Sequence, residues 1–197
     1  MQELKRQKSE HYCLIAMGAN LPSATGTALE TLEASLKLFL LESLQIVRIS
    51  KWFSTPAFPT GSGPDFVNGA VLIKTMLAPE KVLSALHRIE AKMGRTRENR
   101  WEPRLCDLDL ITYDDLVLPD IETFEKWSAL ELASQQTETP EQLILPHPRL
   151  QDRSFVLVPL NDIAPDWCHP VTGFAVSEML AALPPEDLAE ITVLSGD

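Results

Sequence analysis

Long apolar runs are missing from this sequence. The longest, Tyr12 to Met17, is six residues, against roughly 20 needed to cross a bilayer. No signal-peptide-type apolar stretch follows the opening MQELKRQKSE; these ten residues are expected to be flexible, and the protein cytoplasmic. Cysteine is scarce. Cys13, Cys106 and Cys168 are an odd, widely spaced set with no C-x-x-C pair, which excludes a disulfide framework and a zinc site and leaves reduced, mostly buried thiols as the expectation. His147 and His169 have no zinc-ligand partners at workable spacing. There is no G-x-x-x-x-G-K-[ST] and no G-x-G-x-x-G after the first apolar run, so P-loop and Rossmann nucleotide binding are out. Internal repeats, low-complexity stretches and linkers are also lacking, and residues 1–197 read as one domain.

Positive charge is in deficit: 17 Lys and Arg face 28 Asp and Glu, a net −11. Seven of those excess negative charges fall between Asp114 and Glu141, where Lys126 is the one base among eight acids. By contrast, Gly94 to Arg104 holds Arg95, Arg97, Arg100 and Arg104 against Glu98 and Glu102. An acidic chain with one small arginine-rich loop lacks the broad basic face of a nucleic-acid binder. It suits a holder of one small polyanion, or simply a solvated charged loop.

Hydrophobic periodicity orders the rest. Tyr12–Met17 reads as a buried strand, followed by a loop from Gly18 to Gly26. Leu29, Leu32, Leu36, Phe39 and Leu40 recur at helical spacing, so 27–42 is an amphipathic helix. Residues 45–53 alternate as a strand, and 55–64 (TPAFPTGSGP) form an exposed loop. Residues 66–75 are the next strand. Pro79 opens a helix striped by Val82, Leu83, Leu86, Ile89 and Met93 and ended by Gly94. After the arginine loop come a strand over 107–113, a short one near Leu116, and a helix around 121–134 within the acidic insertion 119–141. A last apolar strand over 155–160 and a weak helix over 175–183 complete the chain. The order is β-α-β-β-α-β plus additions, an α+β layer with both helices on one face.

Asp107-Leu108-Asp109 carries the chemistry. Strand alternation puts both carboxylates on one face and Leu108 on the other, with their Cα atoms about 6.5 Å apart. Mg²⁺ takes such a pair together with phosphate oxygens; two solvated aspartates are the alternative. The arginines just before the strand can reach phosphate with bidentate geometry. Trp101 either caps an aromatic ligand or anchors its loop. His147, set between Pro146 and Pro148, can donate to a phosphate or serve as a turn residue. Phe66 and Asn68 share a strand face, which fits a heterocycle pocket or a core contact.

Six segments, AMGANL (16–21), STPAF (54–58), DFVNGAV (65–71), IEAKMGRTR (89–97), RWEPRLCDLDL (100–110) and LPHPRLQDRSFVLVPLNDIAP (145–165), together resemble the 6-hydroxymethyl-7,8-dihydropterin pyrophosphokinase family. The resemblance implies a ferredoxin-like sandwich and transfer of pyrophosphate from ATP to a pterin alcohol in folate biosynthesis. In-line attack on the β-phosphorus would release AMP. It implies two Mg²⁺ on Asp107 and Asp109, with Arg95 and Arg104 on the phosphates and the transferring group. Arg97, Leu110, His147 and Arg153 complete the implied ATP site. Thr55, Pro56, Phe58, Phe66, Asn68, Trp101 and Phe155 match the pterin positions, Trp101 as a lid. The partners implied are small molecules, with no nucleic acid, no membrane and a monomeric enzyme. Two polar loops and the arginine loop are expected to order on binding.

The chain also departs from the family pattern. Gly18-Ala19-Asn20 has alanine where serine commonly follows glycine, and Glu102 stands where glycine is frequent. No role is assigned to His87. The acidic insertion is longer than usual, and an extra surface helix is expected there. Two other readings stay open: a polymerase-β-type nucleotidyltransferase, whose Gly-Ser and D-x-D lie closer together in sequence, and an RNA-binding module on a similar layer, which the net charge opposes.

Overall fold

The computed structural model describes residues 9–57, 63–95, 105–131, 134 and 138–194. Six strands form one sheet: β1 (His11–Ala19), β2 (Gln45–Ile49), β3 (Phe53–Thr55), β4 (Phe66–Thr75), β5 (Asp107–Tyr113) and β6 (Thr192–Val193). Their order is β5-β1-β4-β3-β6, with β2 also paired to β4 and every pairing antiparallel. This is the expected α+β, ferredoxin-like arrangement.

Alternation along β1 divides the core. Cys13, Ile15, Met17 and Ala19 face one side, where α1 (Ala28–Phe39) and α2 (Pro79–Lys92) pack. Leu14 and Ala16 face the other. The first helix starts where a capping box dictates. Thr27 Oγ1 accepts from the Glu30 N–H at 3.2 Å, and Glu30 Oε2 accepts from the Thr27 N–H at 2.7 Å. It ends in a 3-10 turn at Leu40–Glu42. Gly94, at φ 92°, closes the second helix in a conformation suited to glycine.

Several expectations are corrected. Residues 155–160 are not a strand but part of α4 (Ser154–Ile163), which covers the second face of the sheet. A short apolar run does not distinguish strand from helix, but the buried positions Val156, Leu157, Leu160 and Ile163 are spaced for a helix. Pro159 lacks the N–H that would bond the Phe155 carbonyl, yet the helix continues around it.

The strand expected over 45–53 is two strands. Between them the Ser50 hydroxyl takes over the ladder, accepting from the Ala70 N–H at 2.8 Å, while Lys51 N–H turns to Asp162 Oδ2. No strand forms at Leu116, because Asp114, at φ 44°, turns the chain. Instead Leu118 and Leu145 exchange backbone bonds of 2.8 and 3.1 Å across the neck of the acidic insertion.

Within the insertion, α3 (Ile121–Ser128) stops six residues short of expectation. The 175–183 helix is α5 (Val176–Ala181), and α6 (Pro185–Ala189) and β6 were not expected. Cys13 and Cys106 are fully buried, which pushes both thiols up to about 12, whereas Cys168 is exposed in a loop. Among the described residues, no helix is long and apolar enough to cross a membrane.

Candidate active site

The second sheet face is covered by α4 over only part of its length, and beyond the N-terminus of α4 it opens. There the middle strand carries its smallest side chains. Ala16 lies opposite Asp109 and Ala70, and Gly18 opposite Asp107 and Asn68. A Cβ on Gly18 would meet Asn68 Oδ1 at 3.0 Å, so glycine there lets the flanking strands raise functional groups around a low floor. The result is a recess of about 210 Å³.

Thr55, at the end of β3, and Pro56 just after it line this recess with Phe66 and Asn68 from β4, and Asp107 and Asp109 from β5. Arg153 and Phe155 close it at the start of α4. Eight residues expected at the site from sequence therefore meet in one place. Asn68 is nearly buried and donates from Nδ2 to Thr55 Oγ1 at 2.7 Å. That bond fixes the amide plane and leaves Oδ1 as the acceptor beside Gly18. Arg153 stands 5.7 Å from the ring centre of Phe155, within cation–π range. Phe155 reaches the recess from a helix rather than from the expected strand.

Asp107 and Asp109 share the open face because Leu108, 2% exposed, is locked into the core on the other. A residue the sequence reading passed over braces this strand. Glu90, on the buried stripe of α2 and 1% exposed, accepts from the Leu108 N–H at 2.9 Å through Oε1. The same carboxylate pairs with Arg95, whose guanidinium also pairs with Asp107. Desolvation opposes the charge of Arg95, but Asp107 and Glu90 outweigh it and raise its pKa. The signal for Glu90 was its spacing, four residues after Leu86 and eight after Val82 on the apolar stripe.

A second cleft of about 500 Å³ adjoins the recess and shares Asp109 and Arg153 with it. Leu110, His147 and His87 line it. The histidine turn is tied to the sheet by the His147 N–H, which donates to Ile111 O at 2.8 Å. His147 Nδ1 accepts from the Arg149 N–H at 3.1 Å. Burial, then the charges of Arg153 and Arg149, lower the pKa of His147 to about 3. A neutral ring with Nδ1 occupied as an acceptor carries its proton on Nε2, which is thus a donor. Phe58, Arg97, Trp101, Glu102 and Arg104 lie outside the described residues.

Among the described residues, no three or more His, Cys, Asp or Glu side chains gather to cage a metal ion. Two carboxylates on one open face instead suit a hard cation that draws its remaining ligands from phosphate and water.

The family model for 7,8-dihydro-6-hydroxymethylpterin-pyrophosphokinase matches residues 14–165. This chain belongs to that family. The match takes in every residue that lines the recess, the N-terminus of α4 included. Among curated pyrophosphokinase-family relatives, a Synechocystis protein named 2-amino-4-hydroxy-6-hydroxymethyldihydropteridine pyrophosphokinase is 35% identical over 86% of this chain and 75% of its own. A Pseudomonas aeruginosa protein of the same name is 33% identical over 90% of this chain and 94% of its own. The fold is similar to that of a Plasmodium falciparum HPPK-DHPS chain solved with pteroate (TM-score 0.63, 16% identity, 88% of this chain). The present chain covers 44% of that longer one.

Proposed function

We propose that the recess takes the pterin and the adjoining cleft takes ATP, with Mg²⁺ held by Asp107 and Asp109 where the two meet. The chain is a pyrophosphokinase that acts on hydroxymethyldihydropterin in folate synthesis. The observation that carries the site assignment is the junction itself. Asp109 and Arg153 belong to both cavities, so a group crossing from one ligand to the other passes between a carboxylate and a guanidinium.

In this reading Phe66 and Phe155 pack the pterin ring, while Asn68 and Thr55 read its polar edge. The hydroxymethyl oxygen then faces the junction. Its bond to the β-phosphorus forms as the bond from the β-phosphorus to the bridging oxygen of AMP breaks, and the hydroxyl proton passes to solvent. Such transfers have loose transition states, so positioning and charge neutralisation contribute more than a strong base. Bound Mg²⁺ would supply Lewis-acid neutralisation of the phosphate oxygens. Arg95 and Arg153 present forked donors to the same oxygens, and His147 offers Nε2–H without adding charge. Glu90 acts one step back, holding Arg95 and the backbone of β5 in place. The enzyme is further read as a cytoplasmic monomer working on small molecules.

Incubating the protein with ATP, Mg²⁺ and the pterin alcohol tests the reading, with nucleotide products resolved by chromatography. AMP and a pyrophosphorylated pterin are expected; free pyrophosphate with AMP left on the acceptor would overturn it. Asp109→Ala should lower turnover by at least about 100-fold while leaving the circular dichroism spectrum unchanged. Near-native, Mg²⁺-dependent turnover in that variant would remove Asp109 from the site.

A further inference from the structure

The acidic insertion has no part in the mechanism above, yet it is built into the nucleotide cleft. Its neck is closed by the paired bonds between Leu118 and Leu145. Asp120 caps α3, accepting from the Thr123 N–H at 2.8 Å. Phe124, 2% exposed, packs its ring 5.2 Å from that of His169. One turn on, Ser128 Oγ accepts from Gln151 Nε2 at 3.2 Å. Positions 124, 127 and 128 share one face of a helix. Fixing Phe124 and Ser128 therefore turns the half-buried Trp127 inward, where it lines the cleft with Leu110 and His147. Glu138 and Glu141 line the same cleft from the exposed return segment.

We propose that α3 and the return segment from Glu138 form the base-binding wall of the nucleotide site, with Trp127 as the platform on which the purine stacks. This inference rests on the ATP reading given above. Anchoring α3 does not require Trp127, because the fully packed Phe124 does that. An indole left half-exposed in a cleft that mixes apolar and charged side chains is the surface that flat heterocycles favour. Charge sets the direction in which the ligand lies. The polyphosphate is repelled by Glu138 and Glu141 and attracted to Arg153 and Arg95, so the uncharged base is directed toward Trp127. The rim carboxylates can accept hydrogen bonds from ribose hydroxyls or an exocyclic amine.

Calorimetry on the full chain with Mg²⁺ tests this, using a non-hydrolysable ATP analogue and tripolyphosphate, which lacks a base. Trp127→Leu keeps an apolar contact but removes the flat ring, whereas Trp127→Phe keeps a ring. The leucine variant should bind the analogue about tenfold or more weakly, the phenylalanine variant within about threefold of the parent. Both should bind tripolyphosphate as the parent does, with the pterin KM unchanged. Native affinity for the analogue in Trp127→Leu would overturn the proposal. So would equal loss of analogue and tripolyphosphate, which would make Trp127 merely structural. If the parent protein binds neither probe, the nucleotide reading itself fails and takes the proposal with it.

Discussion

At the scale of single residues, the site depends as much on what is small as on what is charged. Gly18 keeps the floor of the recess low, and Gly69, which pairs with Met17 across the ladder, makes similar room on the opposite face. A Cβ on Gly69 would come within 2.5 Å of the Trp52 ring. That ring is packed against the core beneath β4 and has little room to retreat. Gly69→Ala should therefore cost about 1–3 kcal/mol, read as a lower urea midpoint with an unchanged m-value. The chemistry-bearing residues were readable from sequence because alternation and loop composition announce them. Asp107 and Asp109 flank a leucine in a strand, and Phe66 and Asn68 are two apart in another. Glu90 was not read, since its importance comes from its burial beside Arg95, a tertiary fact. Trp127 was passed over because its segment looked like a solvated helix, and the packing of Phe124 shows only in three dimensions.

At the scale of elements, strands and helices with strong periodicity were legible. The elements that failed were those whose identity is set by neighbours. The run 155–160 is apolar enough for either state, and it is helical because one stripe of it has a sheet face to cover. The break between β2 and β3 arises from a serine hydroxyl replacing a backbone group, which no hydrophobic pattern records. The two-residue β6 exists because β3 has a free edge. There, Leu194 N–H donates to Trp52 O at 2.8 Å, next to the strand that carries Thr55 into the recess. Leu194→Pro removes that donor and should destabilise the fold by about 1 kcal/mol. Leu194→Ala keeps it and should melt close to the parent, a contrast that thermal denaturation measures directly.

At the scale of the whole molecule, the sheet carries helices on both faces, α1 and α2 on one and α4 and α5 on the other, with the recess left open beyond α4. Two histidines, His169 buried and His147 half-buried beside the cleft, are held in a state they would not keep in an unfolded chain. Burial lowers the pKa of both His147, to about 3, and His169. As pH falls through about 6.5, the unfolded chain takes up two protons that the folded protein refuses. The unfolded state is then favoured by mass action. Stability contributed by the neutral rings is thus present above about pH 6.5 and is lost progressively on acidification. The melting temperature should drop between pH 7 and pH 5, and less steeply in His169→Gln, which removes one of those sites at a residue that lines neither cavity. An equal slope in the two proteins would show that His169 takes up its proton in the folded state as well.

The paired backbone bonds at Leu118 and Leu145 have a further implication. Because they close the segment at its base, the stem itself holds β5 and the histidine turn in register. Doubling the length of such a tethered excursion costs only about 0.6 kcal/mol in closure entropy. The excursion is consequently an exchangeable cap. Grafting a differently composed segment onto the same stem is expected to alter which nucleobase is preferred while leaving Asp107, Asp109 and Arg153 in place.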